Sequence, residues 1–308
     1  MNILVLGGNG FIGSHVVNGL LVSGHKVRVL DRYPKQHREW HDKVDYRAGD
    51  FGDAKLIAGA LMGIDAVCHL ISTSIPSTSN LDPAEDIQSN LINSVRLLEQ
   101  MRISGCKRII YLSSGGTVYG IPNRVPITEC HPLNPICSYG VVKIAVEKYL
   151  HMYQKLYGFS TLVLRPSNPY GPGQSQLGLQ GLIGTFLGKV LTGDPLEIWG
   201  DGEIIRDYIY IDDVTSLVVS ALESDVTGVF NLGSGQGYSV KQITEIMRSM
   251  SQSDVIVNYR DARAYDVPEV VLDIEKTMRI FDWKPETGVQ EGIQRHFEWA
   301  LRQYDKPK

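Results

Sequence analysis

Short apolar runs alternate with longer amphipathic stretches along the first half of the chain. Asn2 to Leu6 and Lys26 to Leu30 predict short buried strands, and the stretch from Phe11 to about Ser23 predicts an amphipathic helix between them. A glycine-rich turn over 7–13 joins the first strand to that helix. The same alternation predicts further strands at 44–47, 64–70 and 108–112, and long helices at 82–104 and 139–157.

This alternation of strands and helices is typical of an α/β protein with a parallel sheet. Past residue 169 the pattern predicts a helix over 178–191, a strand over 196–199 and two surface helices after 274. A chain of 308 residues with 43% hydrophobic content can bury one large core or two unequal lobes, and we expect two. We place a first domain at 1–168, completed by about 203–223, and a smaller α/β lobe at 169–308.

The glycine turn has the spacing of a dinucleotide site. Gly7 allows a tight turn, Gly10 lets the backbone approach a pyrophosphate, and Gly13 brings the helix close to the strand. Unpaired N–H groups at the start of the helix, where Phe11 and Ile12 lie, favour an anion. The alternative is a glycine turn that binds no ligand.

Asp31 ends the second predicted strand, at the distance where an acid reaches the ribose of a nucleotide lying on the turn. A carboxylate bonds the 2′-hydroxyl of NAD and repels the 2′-phosphate of NADP, so this position favours NAD. Arg32 beside it weakens that preference, because a guanidinium accommodates a phosphate.

Other predicted strands also end in residues suited to a ligand. In a doubly wound sheet these carboxyl ends share one edge, where the cofactor binds. Asp50 and Phe51 could hold adenine there, although Asp50 could equally be a loop acid capping the helix that starts near Asp53. The remaining strand-end residues that we assign to the cofactor site are Leu70, Ile71, Ser72 and Ser113.

Tyr139 and Lys143 place a phenol and an ammonium one turn apart on one helix face. A nearby ammonium stabilises a phenolate, so we expect Lys143 to lower the pKa of Tyr139 from about 10 toward neutral pH. Such a tyrosine can act as a general base. Taken alone, a Tyr and a Lys at this spacing are usually ordinary neighbours on a solvated helix; here they follow a dinucleotide turn and a hydroxyl-rich loop.

Together these motifs resemble the extended short-chain dehydrogenase/reductase family. The resemblance covers essentially the whole chain and is greatest to NAD-dependent nucleotide-sugar epimerases of the UDP-glucose 4-epimerase type. It implies a doubly wound (Rossmann) domain that binds NAD, a smaller carboxyl-terminal lobe that holds the nucleotide sugar, and a homodimer formed through two long helices. The motifs that carry it are the glycine turn, Asp31, Asn90, the run 117–120, Tyr139 with Lys143, and the run 165–173.

The resemblance also implies roles for residues outside the glycine turn. Asn90 and Pro166 belong to the cofactor side, and Asn168 to the substrate side. Arg206 matches the arginine that binds the diphosphate, with pairing to Asp207 or Asp201 as the alternative. Further matches to nucleotide and sugar positions are Arg263 for phosphate, Asp266 for ribose, and Val270 for the pocket around sugar C2.

One position departs from the family pattern. Members usually carry a Ser or Thr where this chain has Gly115, so the usual hydroxyl partner of Tyr139 is missing. Ser114 and Thr117 are the nearest hydroxyls, and either could contact the sugar 4-oxygen. The same loop offers no acid, which argues against 4,6-dehydratase and decarboxylase chemistry. A C4 epimerase is favoured, followed by a reductase of 4-keto sugars and then by a non-catalytic dinucleotide-binding protein.

Composition narrows the class of partner. The net charge is -4 with dispersed Lys and Arg, so neither nucleic acid nor an anionic membrane is an expected partner.

The chain opens directly on a strand and has no apolar run of ~18 residues, so we expect a cytoplasmic protein without signal peptide or membrane span. Four cysteines lack metal spacing, and His37 with His41 lacks a third ligand, so we predict no metal site.

Overall fold

The computed structural model describes residues 1–32, 43–176, 181–250, 254–262 and 267–304. Up to residue 166 its elements are β1 Asn2–Leu6, α1 Phe11–Val22, β2 Lys26–Asp31, β3 Val44–Ala48, α2 Ala54–Ala60, β4 Ala66–His69, α3 Pro83–Asp86, a π-helix Ile87–Ile92, α4 Asn93–Ser104, β5 Arg108–Leu112, α5 Ser138–Tyr157 and β6 Ser160–Pro166. The later elements are β7 Asn168–Tyr170, α6 Leu182–Thr192, β8 Leu196–Trp199, β9 Ile205–Tyr210, α7 Ile211–Glu223, β10 Gly228–Leu232, β11 Gly237–Ser239, α8 Val240–Met250, β12 Val257–Arg260, β13 Glu269–Val270, α9 Glu275–Phe281 and α10 Val289–Tyr304. His37, His41, Arg263 and Asp266 lie outside the described residues.

The main sheet has seven strands in the order β10-β6-β5-β4-β1-β2-β3. All neighbouring pairs from β6 to β3 are parallel, which confirms the predicted doubly wound Rossmann fold. β1 and β4 are adjacent, and the strand order runs in opposite directions on either side of them. Ligands of such sheets bind at the carboxyl ends of the strands at this switch point.

Apolar side chains on both faces of the central strands explain why they lie in the middle of the sheet. Ile3 to Leu6 and Ala66 to Cys68 are completely buried, as expected for parallel strands covered by helices on both sides. Burying each large aliphatic side chain contributes about 1.5–3 kcal/mol. No helix in the described part of the chain is both long and apolar enough to cross a membrane.

The chain divides into two compact units. The first comprises 1–120, 132–166 and 215–230, and the second comprises 121–131, 167–214 and 231–308. This division differs from the predicted one at 168 and 203–223, because 121–131 belongs to the second unit and 215–230 completes the first. Arg108 shows why 215–230 joins the first unit, since its guanidinium donates to the carbonyls of Ala221 (2.7 Å) and Val226 (2.8 Å).

The second unit is built around β9, which pairs with β7, β11 and β13. Asp207 on β9 is completely buried and accepts N–H bonds from Ser234 (2.8 Å), Gly235 (3.3 Å) and Leu272 (3.3 Å). The second glycine-rich run, 231–237, therefore directs its N–H groups at a carboxylate of the protein. This run is therefore a structural turn and not a nucleotide site.

Candidate active site

The glycine turn of the first unit has the close packing that a pyrophosphate cradle requires. Gly7 has a φ of 81°, a conformation that favours glycine. A Cβ on Gly13 would lie 2.1 Å from the Gly7 carbonyl oxygen, so only glycine allows α1 to pack this closely on the turn. Gly10 is the N-cap of α1 and supplies no side-chain cap, so the helix start stays open to an anion.

Asp31 lies at the end of β2 beside this turn. Its carboxylate accepts the backbone N–H of Asn9 at 2.9 Å and that of Arg32 at 2.8 Å. The Arg32 guanidinium pairs with Asp50 at 3.0 Å, so this cation already faces an acid. Because Arg32 is paired with Asp50, the site favours a ribose hydroxyl over a 2′-phosphate. Asp50 acts here as the partner of Arg32.

One cleft of the first unit collects eight of the predicted cofactor residues. Its lining includes Gly7, Gly10, Asp31, Arg32, Phe51, Leu70, Ile71 and Ser72. Asn9, Gly49 and Thr73 also line it and were not predicted. Phe11 and Ile12 open α1 next to this cleft, as the turn geometry requires. The residues converge because β1, β2, β3 and β4 all end at the same edge of the sheet.

Tyr139 and Lys143 lie one turn apart on α5, as predicted. The Lys143 ammonium is buried, donates to the Leu112 carbonyl at 2.9 Å and lies 5.3 Å from the centre of the Tyr139 ring. The loop over 72–80 lines the cleft at Ser72 and Thr73, and its Ser79 hydroxyl accepts the Tyr139 N–H at 3.1 Å. The helix turn that carries Tyr139 is therefore next to the predicted cofactor site.

The predicted lowering of the Tyr139 pKa is wrong for the protein chain by itself. Burial raises the pKa of Tyr139 to about 12, with the Ser72 hydrogen bond opposing this shift and the charges of Cys137 and Asp86 adding to it. Burial also lowers the pKa of Lys143 to about 8, against the opposing effect of Glu147 and Asp86. Loss of hydration thus outweighs the attraction between ammonium and phenolate.

A buried acid that sequence reasoning missed lies next to this pair. Asp86 ends α3, is 3% exposed, and accepts hydrogen bonds from Ser74 (2.6 Å), Ser138 (2.7 Å) and the Asn90 amide (2.9 Å). The Asn90 oxygen in turn accepts the Thr73 N–H at 2.9 Å. Asn90, predicted on the cofactor side, therefore fixes the loop that lines the cleft. Its i, i+4 spacing from Asp86 is the only sequence signal for this pairing.

The start of α5 is capped from outside the helix. Ser138 is the first helical residue, and its hydroxyl donates to Asp86. The Ser138 N–H instead donates to the Asn80 side chain at 2.9 Å, and the Tyr139 N–H to the Ser79 hydroxyl at 3.1 Å. The Ser-rich loop over 72–80 therefore holds the first turn of the helix that carries Tyr139.

The loop after β5 contains the other predicted hydroxyls. Ser113 is buried and donates to Glu147 at 2.5 Å, within a network in which Arg165 pairs with the same carboxylate. The Thr117 hydroxyl is buried without a hydrogen-bond partner among the described residues. Ser114 is partly buried. The Gly115 N–H donates to the Pro166 carbonyl at 2.7 Å, which fixes this loop to the end of β6.

Three of the predicted substrate residues, Asn168, Arg206 and Val270, lie in the second unit. Asn168 and Arg206 line one cleft together with Glu197, Trp199 and Tyr208. The Asn168 amide donates to the Asp207 carbonyl at 2.8 Å, so it also ties β7 to β9. Val270 is 2% exposed and pairs in register with Arg206 across β13 and β9.

Comparison with known proteins assigns the family. The sequence model of the NAD-dependent epimerase/dehydratase family matches residues 3–233. The chain belongs to this family. The UDP-glucose 4-epimerase of Mycolicibacterium smegmatis is 34% identical over 309 residues, covering 97% of this chain and 98% of that protein. A dTDP-4-dehydro-6-deoxyglucose reductase of Escherichia coli is 31% identical over 303 residues, covering 95% of each chain.

Solved structures agree with the sequence comparison. The UDP-glucose 4-epimerase of Thermotoga maritima with UDP-glucose is 33% identical and matches with a TM-score of 0.94, covering 99% of this chain and 100% of that one. The Thermus thermophilus UDP-glucose 4-epimerase in complex with NAD is 32% identical and matches with a TM-score of 0.91, covering 98% and 99%. The family and these neighbours establish NAD as the cofactor.

The residues of this family member fit NAD. The uncapped start of α1 suits the pyrophosphate. Gly13 lies so close to the Gly7 carbonyl oxygen that the turn has no room for a side chain at this position. The Asp31 carboxylate, held by two backbone N–H groups, retains lone pairs for ribose hydroxyls. Phe51 is a buried aromatic ring at the same edge of the sheet, on the predicted adenine side.

Proposed function

We propose that this protein inverts C4 of a UDP-hexose or UDP-N-acetylhexosamine through a transient 4-keto sugar, with NAD as cofactor. The observation that carries this proposal is the loop over 72–80, which lines the cofactor cleft and holds the first turn of the helix that bears Tyr139. A general base therefore lies beside the site of the hydride acceptor. The family and the related UDP-glucose 4-epimerases support the same reaction.

In this reaction Tyr139 accepts the proton of the sugar 4-hydroxyl and returns it after the keto sugar has turned. NAD, when bound, accepts and returns the C4 hydride. Lys143 keeps a positive charge near the phenol, within a wall formed by Tyr111 and the Leu112 carbonyl. General base catalysis of this kind typically contributes ~10²–10⁴-fold. We assign the diphosphate to Arg206 and, from family resemblance, the remaining nucleotide contacts to Asn168, Arg263 and Asp266.

A net reductase of 4-keto sugars is the second candidate, favoured by the reductase relative in Escherichia coli. An epimerase recycles its hydride and usually retains NAD, whereas a reductase exchanges its cofactor in every turnover. The test is to denature the purified protein, identify the released cofactor, and incubate native enzyme with UDP-glucose. We expect released NAD and formation of UDP-galactose without net NADH. Stoichiometric NADH consumption with a 4-keto sugar and no interconversion would establish the reductase.

We further propose that the sugar site accepts a 2-acetamido group. In the family a tyrosine at the position of Val270 restricts the pocket to plain hexoses, and smaller residues leave room for the acetamido group. Valine is far smaller than tyrosine, and the space released is of the order of an N-acetyl group. Packing of Val270 beneath its neighbours, with another residue setting the pocket, is the alternative, and its 2% exposure is compatible with it.

A homodimer formed through α4 and α5 is part of the proposal. We expect Ile87, Leu91, Val95 and Leu98 on one helix and Val142, Val146, Tyr149, Leu150 and Tyr153 on the other to offer the apolar surface, but Leu98, Val142, Val146, Leu150 and Tyr153 are buried within the subunit. Tyr149 remains exposed on α5, together with Val141, Met152 and Leu156 at helical spacing. We call these four residues the α5 seam. Exposed apolar stripes of this kind are typical of subunit interfaces.

A cytoplasmic location also remains a proposal. Cys68, Cys106, Cys130 and Cys137 are all free thiols, and Cys130 is exposed. Free thiols persist in a reducing compartment, where disulfides are rare. Fractionation of the native host, followed by detection of the protein, would test this location.

A further inference from the structure

The peptide unit between Leu112 and Ser113, at the end of β5, is held from two neighbouring elements. The Lys143 ammonium on α5 donates to the Leu112 carbonyl at 2.9 Å. The Ser113 N–H donates to the Leu164 carbonyl on β6 at 2.7 Å. Because a peptide unit is planar, whatever fixes Ser113 also fixes the direction of the carbonyl that accepts Lys143.

Glu147 holds Ser113 by its side chain. The Ser113 hydroxyl donates to the Glu147 carboxylate at 2.5 Å, and Arg165 donates to the two oxygens of that carboxylate at 3.0 and 2.5 Å. Arg165 also donates to the Tyr119 hydroxyl at 3.0 Å. Both ends of the loop over 113–119 are therefore attached to one carboxylate–guanidinium pair.

Both members of this pair are buried. A buried ion pair is weak evidence for stability, because the cost of removing two charges from water offsets their attraction. Buried ion pairs can instead specify a single arrangement of the groups around them. Here those groups are the carbonyl that accepts Lys143 and the loop that contains the unpartnered hydroxyl of Thr117.

We propose that Glu147 is a positioning residue of the epimerase reaction, acting through Ser113 on the carbonyl that holds Lys143. This proposal rests on the proposed function. Lys143 and Glu147 lie one turn apart on α5, and both bond the end of β5. The carboxylate thereby keeps the ammonium 5.3 Å from the centre of the Tyr139 ring, where the reaction requires a positive charge.

The charge of Glu147 also favours the ammonium form of Lys143. Burial lowers the pKa of Lys143 to about 8, and the charges of Glu147 and Asp86 oppose this shift. Without the Glu147 carboxylate the pKa of Lys143 should fall further, so the ammonium should be lost at lower pH. Among the described residues, the titratable or charged groups that act on Lys143 or bond Glu147 are Tyr139 on α5, Tyr111 on β5, His69 on β4, Asp86 on α3 and Arg165 on β6.

The test is a double-mutant cycle in the NAD-loaded enzyme with UDP-glucose. Glu147→Gln and Ser113→Ala should each lower kcat about 10- to 100-fold, because small displacements of groups at the reacting atoms have effects of this size. The double variant should be about as slow as Glu147→Gln alone, because both changes remove the same contact. Glu85→Gln, the same change at an exposed position of α3, should match the wild type.

The pH profile of kcat distinguishes positioning from a role in folding alone. Glu147→Gln should move the alkaline limb to lower pH, because Lys143 then loses its proton more readily. Glu147→Asp keeps the charge, so it should leave this limb in place and recover part of the rate. Ser113→Ala leaves the ion pair intact and tests the link even if Glu147→Gln fails to fold. Circular dichroism and the NAD content after denaturation identify the variants that are folded and loaded.

The failures of the two proposals are distinguishable. If Ser113→Ala has a normal kcat while Tyr139→Phe is inactive, the role of Glu147 is wrong and the proposed function stands. An unshifted alkaline limb in folded Glu147→Gln, or a double variant that shows the product of the two single losses, would equally overturn the role of Glu147. If the wild type does not interconvert UDP-glucose and UDP-galactose, or if Tyr139→Phe turns over normally, both proposals fail.

Discussion

Tyr139 illustrates how much a single residue depends on its surroundings. The spacing of Tyr139 and Lys143 is correct for a base and its ammonium, yet burial raises the pKa of Tyr139 to about 12 in the chain alone. The phenolate that the reaction requires must therefore be favoured by groups aimed at the phenol oxygen. The Lys143 ammonium, 5.3 Å from the centre of the Tyr139 ring, is the candidate on the protein side.

The first prediction concerns Tyr139 itself. Tyr139→Phe removes the base but keeps the ring, so the variant should fold, retain NAD and lose about 10²–10⁴-fold in kcat. Steady-state rates with UDP-glucose and the NAD content after denaturation measure both effects. Tyr149→Phe, the same change at an exposed position of the same helix, serves as the control and should be active. Near-normal turnover by Tyr139→Phe would remove this tyrosine from the mechanism.

The second prediction concerns the sugar. Val270→Tyr should fill the space for the acetamido group, and overpacking of this kind costs about 1–3 kcal/mol, or about 5–150-fold in selectivity. The variant should lose UDP-N-acetylglucosamine and spare UDP-glucose, as measured by the ratio of the two kcat/KM values. Val270→Ile, a much smaller enlargement, should change this ratio little. Wild-type enzyme that epimerises UDP-glucose but leaves UDP-N-acetylglucosamine untouched would contradict the prediction.

The sequence could predict those site residues whose relation is local. Gly7, Gly13 and Asp31 follow one another within a single strand-turn-helix-strand unit, and Tyr139 with Lys143 lies within one helix turn. The hydrogen bond from the Tyr139 N–H to the Ser79 hydroxyl joins residues far apart in the chain, so no spacing encodes it. Asp86 was overlooked for a related reason, because an acid in the first turn of a helix is ordinarily solvated.

At the scale of elements, the helix predicted over 82–104 is interrupted. The structure has α3 at Pro83–Asp86, a π-helix at Ile87–Ile92 and α4 at Asn93–Ser104. The wider π-helical turn includes Asn90, whose side chain bonds both Asp86 and the loop over 72–74. Such insertions are frequent at functional sites, and hydrophobic periodicity does not distinguish them from a regular helix.

The third prediction concerns the anchoring of α5. Asp86→Ala leaves the hydroxyls of Ser74 and Ser138 without their acceptor, which should lower the free energy of unfolding by about 1–3 kcal/mol. Urea unfolding followed by circular dichroism measures this loss. Glu85→Ala, at the neighbouring exposed position of α3, provides the matched control. Equal stability of the two variants would show that Asp86 does not hold the helix.

Other elements show which strands hydrophobic periodicity predicts and which strands only pairing in the folded structure defines. The strand predicted at Lys26 to Leu30 is observed as Lys26–Asp31, because its apolar side chains fit a buried parallel strand. The stretch 206–213 divides into β9, which ends at Tyr210, and the start of α7 at Ile211. The two-residue strand β13 is too short to leave a pattern, and only its pairing with β9 defines it.

At the scale of the whole molecule, two buried histidines link stability to pH. Burial lowers the pKa of His296 to about 4, and burial together with the charge of Lys143 lowers that of His69 to about 3. Both are therefore neutral when folded and take up protons near their ordinary pKa of about 6.5 when unfolded. Their contribution to stability is complete above pH ~6.5 and is lost progressively as the pH falls toward the folded pKa values.

The fourth prediction uses His296, whose ring nitrogens have no hydrogen-bond partner among the described residues. His296→Phe keeps an aromatic ring beside Trp299 and removes the titration. The free energy of unfolding should therefore fall less between pH ~7 and ~5 in this variant than in the wild type. Parallel urea titrations at the two pH values measure the difference. Identical losses in both proteins would exclude His296 as a source of the pH dependence.

The last prediction concerns assembly. The α5 seam exposes Val141 by 53% and Leu156 by 64%, on the helix whose opposite face carries the buried Lys143. Pairing with the seam of a second subunit would remove this surface from water and brace the helix that bears Tyr139. Light scattering at micromolar concentration should give the mass of two chains for the wild type. Val141→Glu with Leu156→Glu should give one chain, because buried charges would then lie in the interface. Asn18→Glu, which adds the same charge at an exposed position of α1, should remain dimeric. A wild-type mass of one chain would reject the dimer.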